Sequence, residues 1–108
     1  MDSEIEPLLM DRVPRPAEFR LESAFTPNGD GLNDLFRPIV TGFNEYRLVI
    51  TNRWGQVVFE SNDAHAEWNG RMHNTGAESP QDVYAWHLFI VDFGDSPVEY
   101  TGTVLLYR

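Results

Sequence analysis

The sequence predicts an all-β domain, an antiparallel immunoglobulin-like sandwich of about seven strands. Three observations predict it. Apolar residues alternate with period two in several short runs. Turn residues recur about every ten positions, and no stretch of three helical turns carries helical apolar spacing. At 108 residues the chain fits one domain.

Residues 1–18 hold Pro7, Pro14 and Pro16 among scattered charges and read as a linker or irregular entry segment, with Leu8, Leu9 and Met10 as the apolar side of any short turn there. The sandwich is expected over residues 19–108. Phe19–Ala24 is a short strand with Phe19, Leu21 and Ser23 on one face. Thr26–Asp34 is a dense turn cluster. Leu35–Val40 is the next strand; Pro38 cannot donate to a ladder, which places it at an edge. Tyr46–Thr51 points Tyr46, Leu48 and Ile50 one way and Arg47 and Val49 the other. Asn52-Arg53-Trp54-Gly55 turns the chain into Gln56–Glu60, the returning strand of a hairpin. Asn62–Gly76 is polar, with Trp68 as its large apolar anchor. Asp82–Asp92 is the strongest strand. Val83, Ala85, His87, Phe89 and Val91 share one face, and Tyr84, Trp86, Leu88 and Ile90 the other. Apolarity on both faces predicts a central strand or a covered outer face. Phe93–Pro97 is a turn, and Val98–Tyr107 closes the chain with Val98, Tyr100, Val104 and Leu106 facing one way.

Composition removes several classes of function. The net charge of −9 repels phosphate backbones and anionic membrane surfaces. It favours basic partners and divalent cations. With no cysteine, a thiol nucleophile, a thiolate zinc site and a disulfide framework are all excluded. No apolar run approaches the roughly 20 residues of a membrane helix. The acidic start, Met1-Asp2-Ser3-Glu4, has no apolar signal region, so the chain is expected to follow a larger carrier. His65, His73 and His87 lack metal-ligand spacing, and no serine sits in a nucleophile elbow. The chain does not read as an enzyme.

The loop from Pro27 to Asp34 is the richest candidate site. Asn28, Asp30, Asn33 and Asp34 cluster side-chain oxygens, while Gly29 and Gly31 allow sharp turning. Such a cluster reads either as a cation site, Ca²⁺ being the natural guest, or as an Asx-rich turn bonding its own backbone. It is not an EF-hand, because a register on Asp30-Gly31 puts Arg37 where the bidentate Glu belongs. No cofactor is required in either reading. Arg53-Trp54-Gly55 has two readings as well. Trp54 packs over the end of the sandwich while Arg53 bonds the preceding loop, or an exposed Trp beside an Arg makes a protein-contact anchor. Trp68 and Trp86, with Tyr84 or Tyr100, are either core or an aromatic sugar platform.

Four stretches, in order, carry a family resemblance: Phe25-Thr26-Pro27-Asn28-Gly29-Asp30-Gly31-Leu32-Asn33-Asp34, then Asn52-Arg53-Trp54-Gly55-Gln56-Val57-Val58-Phe59-Glu60-Ser61, then Trp68-Asn69-Gly70, then Val83-Tyr84 through Tyr100 to Arg108. Together they resemble the gliding-motility-associated C-terminal domain of Bacteroidetes proteins, the type B C-terminal domain of type IX secretion cargo. Two positions depart from that pattern: Asn69 stands where the family has Asp, and Asp82 where it has Gly. The resemblance implies a folded sorting signal, read by outer-membrane components of the secretion system. It implies a carrier protein N-terminal to the domain, and export through the periplasm to the cell surface or beyond. The contact surface is expected at Asn28, Asp30, Asn33, Asp34, Arg53, Trp54, Leu106, Tyr107 and Arg108. The alternative is a calcium-assisted adhesion or carbohydrate-binding module. Neither reading involves nucleic acid or insertion of this domain into a membrane.

Overall fold

A computed structural model describes residues 18–20, 24–29 and 34–108. Of the linker expected over residues 1–18, only Glu18 is described; the face assigned to Leu21 and Ser23 and the loop side chains Asp30 and Asn33 lie outside the described residues. Seven strands follow one another among the described residues: β1 (Glu18–Arg20), β2 (Ala24–Phe25), β3 (Ile39–Thr41), β4 (Phe43–Thr51), β5 (Val57–Ser61), β6 (Asp82–Asp92) and β7 (Pro97–Leu106). A 3₁₀ turn at Met72–Asn74 is the only helical element among the described residues.

The long strands sit where alternation placed them. β6, β4 and β7 form the middle of a five-stranded sheet of order β2-β7-β6-β4-β5, and β1 and β3 form a separate two-stranded antiparallel ribbon. The fold is all-β and sandwich-like. One pairing departs from the antiparallel expectation: the two residues of β2 run parallel to the end of β7. The predicted strand Phe19–Ala24 divides into β1 and β2, which serve different sheets. Leu35–Val40 divides as well. Phe36 makes an isolated bridge to Trp68, Pro38 interrupts the chain as expected, and β3 follows at the edge.

The inward faces of the sheet build the core. Tyr46, Leu48 and Ile50 of β4 pack with Tyr84, Trp86, Leu88 and Ile90 of β6 and Val104 and Leu106 of β7. Phe25, Phe36, Val40 and Trp68 are buried in the same core cluster. Gly102 of β7 pairs with Trp86 of β6, whose indole lies across it; a Cβ there would meet the indole Cζ2 at 2.6 Å. β6 is the central strand, as its two apolar faces predicted. Its outer face is only partly covered among the described residues, with Val83 48% and Phe89 40% exposed.

Candidate functional site: the motif end of the sheet

Register places the resembling stretches together. Thr51 pairs with Ala85 and Val57, Asp82 pairs with Leu106, and Phe25 pairs with Leu106. The end of β4, the start of β5, the start of β6 and the ends of β7 and β2 therefore lie at one end of the sheet, here called the motif end. The core beneath that end is aromatic. The Trp68 ring sits 5.3 Å from Phe25 and meets Tyr84 edge-on at 5.1 Å, with Phe25 in turn 5.9 Å from Phe36. Each buried polar tip has a partner: Trp68 Nε1 donates to the Arg71 carbonyl at 2.8 Å, and the Tyr84 hydroxyl to the Pro80 carbonyl at 2.6 Å. Three of the four stretches thus contribute one aromatic each to a single cluster.

The third stretch opens a self-bonded loop. Asn69 N–H donates to Asn74 Oδ1, Asn69 Nδ2 donates to the Asn74 carbonyl, and Asn69 Oδ1 accepts from Arg71 N–H. The Nδ2 donor is one that the Asp of the family pattern lacks, so Asn69 suits this loop in its own right. Gly70 has φ +86° and is packed against Pro27, Leu106 and Arg108, which leaves no room for a side chain.

The Asn52–Gln56 turn is tied by its own asparagine. Asn52 Oδ1 accepts the N–H groups of Trp54 and Gln56, at 3.0 and 2.9 Å. Gly55 has φ +83° with open space around it. The reading that packs Trp54 over the sheet is overturned: the indole is 78% exposed. Among the described residues Arg53 does not bond the preceding loop either. Its fork pairs with Asp82, Nε to Oδ2 at 2.8 Å and Nη2 to Oδ1 at 3.0 Å, while its guanidinium lies 5.4 Å from the Trp54 ring. Asp82 also accepts the N–H of Val83 at 2.8 Å. That bond, and then Arg53, hold its carboxyl below the usual carboxylate range. The second departure from the family pattern is thus the anchor that orients Arg53, a partnership that no local pattern reveals because the two residues stand 29 positions apart.

The remaining expected residues divide. Asp34 Oδ1 accepts the N–H groups of Asn28 and Gly29, at 3.2 and 3.1 Å, in the manner of an Asx-rich turn. No group of three metal-ligating side chains assembles among the described residues. Leu106 was expected in the contact surface, but its exposure is 0%; it belongs to the core. Tyr107 follows it onto the surface, 54% exposed, with its N–H bonded to the Phe25 carbonyl. The side chain of Arg108 turns inward to backbone carbonyls. The sugar platform fails on geometry, because Trp68 and Trp86 are both buried.

A family profile, the CHU_C type IX secretion signal domain, matches residues 19–106. The chain belongs to this family. No match was found among curated proteins. The domain is a C-terminal sorting signal of type IX secretion, and the adhesion or carbohydrate-binding alternative is not favoured. The family is one of secretion signals and not of enzymes.

Proposed function

We propose that outer-membrane components of the type IX secretion system read this domain at its motif end. The observation that carries the reading is the Asn52–Gln56 turn. A turn tied by Asn52 raises Trp54 into solvent, with the Arg53 guanidinium over its ring and paired to Asp82. A large aromatic and an arginine, both pre-positioned, form the kind of anchor that carries most of the energy at a protein contact. Tyr107 supplies a second exposed aromatic at the same end, and Pro27, Gly29 and Asp34 lie beside Arg108 on its rim. In this reading the carrier lies N-terminal to the domain, and the cargo passes from the periplasm to the cell surface or the medium.

The test is a fluorescent passenger with a periplasmic signal, fused to the domain in a bacterium with this secretion system. Wild type and Phe93→Ala fusions are expected outside the cell. Trp54→Ala is expected to accumulate in the periplasm, since truncating a central anchor costs about 2 kcal/mol or more of binding. A wild-type fusion retained in the periplasm defeats the export reading. Equal export of wild type and Trp54→Ala defeats the choice of surface.

A further inference from the structure

Arg108 lies outside the residues that the family profile matches, yet it is bonded into the motif end. Its Nε donates to the Ser79 carbonyl at 2.9 Å and its Nη2 to the Gly70 carbonyl at 2.9 Å. The same two residues close the loop between them, with Ser79 N–H donating to the Gly70 carbonyl at 2.8 Å. The Arg108 N–H donates to Gln81 Oε1 at 3.0 Å, and Glu78 stands 3.9 Å from Nη1. Packing around this neck is tight: a Cβ on Gly70 would lie 3.1 Å from Arg108 Nη2 and 3.0 Å from Pro27 Cγ.

We propose that Arg108 is a latch, a positioning residue that ties the end of β7 to the neck of the Gly70–Ser79 loop and so holds that loop and Pro27 as one surface. The proposal rests on the export reading above. Within the loop Arg71 Nη1 donates to the Gly76 carbonyl and Met72 N–H to the Ala77 carbonyl, while Asn74 Nδ2 ties the loop to the Glu67 carbonyl beside its neck. His73 and Asn74 take left-handed φ values of 49° and 65° to make these bonds. A loop so bonded moves as a body about its neck, and the neck is where the guanidinium acts. The planar fork of an arginine reaches both carbonyls at once, whereas a lysine ammonium is a compact point donor on a flexible stem.

Hydrogen exchange and export, measured on wild type, Arg108→Ala and Arg108→Lys, test the latch. In Arg108→Ala the Ser79 amide is expected to exchange about ten- to hundredfold faster, while Leu48 and Leu88 keep their wild-type protection. Export of the fused passenger falls in step, and Arg108→Lys is intermediate in both measurements. Unchanged exchange at Ser79 overturns the latch. Equal loss of protection at Leu48 and Leu88 also overturns it, because Arg108 then acts on global stability. Full export from a loosened neck overturns the positioning role. If the wild-type fusion is not exported, the export reading has failed, and the exchange pattern still decides whether Arg108 holds the neck.

Discussion

The Asn52–Gln56 turn at one end of the sheet and the Asp92–Ser96 turn at the other share the same bonds. In each, the first residue donates its N–H to the fifth residue's carbonyl and accepts from the fourth residue's N–H. In each, the first side chain's Oδ1 accepts from the third and fifth residues, Trp54 and Gln56 in one turn, Gly94 and Ser96 in the other. The fourth residue is left-handed in both, Gly55 at 83° and Asp95 at 62°. These are three-residue hairpin loops of the kind that ends in a left-handed bulge residue. What differs is the cargo of side chains. One turn carries Arg53 and Trp54 with Asp82 as a clamp; the other carries Gly94 and Phe93, whose N–H is bonded to the Gly42 carbonyl but whose ring has no such clamp among the described residues. Backbone geometry makes the turn in both places, and the neighbouring strand decides which turn presents a fixed anchor.

The largest expected difference between the two ends lies in their aromatics. Trp68→Ala empties the centre of the motif-end cluster and is expected to cost about 3–5 kcal/mol in urea unfolding. Phe93→Ala, at a side chain 59% exposed, is expected to stay within about 0.5 kcal/mol. A small effect at Trp68 would mean that the motif end is not held by its core.

The matched turns allow a finer comparison. Gly55→Ala forces a Cβ into the left-handed region and is expected to cost about 1 kcal/mol. Gly55→Asp should cost less, because Asp95 occupies the equivalent place with the same backbone. Equal losses for the two variants would break the equivalence of the turns.

The two buried tyrosines differ in the same instructive way. Tyr84 has a partner in the Pro80 carbonyl, whereas the Tyr46 hydroxyl has none among the described residues. Tyr84→Phe is expected to cost about 1 kcal/mol, and Tyr46→Phe to be neutral or stabilising. Burial raises the Tyr46 phenol from 10.0 to about 12. Below pH 10 it is neutral folded or unfolded and adds no pH dependence. Above pH 10 the unfolded chain ionises first, so stability falls as pH rises towards 12. Chemical denaturation across that window should show a shallower fall in Tyr46→Phe.

The smallest effect is expected at the Asn28–Asp34 loop. With Asp34 Oδ1 bonded to two backbone amides, melting is expected to be the same in millimolar Ca²⁺ and in chelator. A bound ion would instead add RT ln(1 + [L]/Kd), about 2.7 kcal/mol at a hundredfold excess. A calcium-dependent rise in melting temperature would return this loop to the cation reading.

Alternation by itself determined the strands that matter most. Asp82–Asp92 appears with its predicted ends, and Tyr46, Leu48, Ile50, Tyr84, Trp86, Leu88 and Ile90 face the core as period two requires. Both hairpin turns were legible too, because their glycine, asparagine and aspartate residues mark the sharp bends. Tertiary structure decided the rest, because the rest depends on partners far apart in the chain. β2 pairs in parallel with β7 across about 80 positions, a contact that no local pattern encodes. Leu106 and Tyr107 are adjacent and both apolar in large part; only the cover supplied by the core cluster makes one core and the other surface. Trp54 and Trp68 look alike in sequence, each beside turn residues. One is exposed because its turn projects beyond the sheet, and the other is buried because Phe25, Phe36 and Tyr84 converge on it. Arg53 and Arg108 read alike as contact charges, until Asp82 and the Gly70 and Ser79 carbonyls show what each arginine holds.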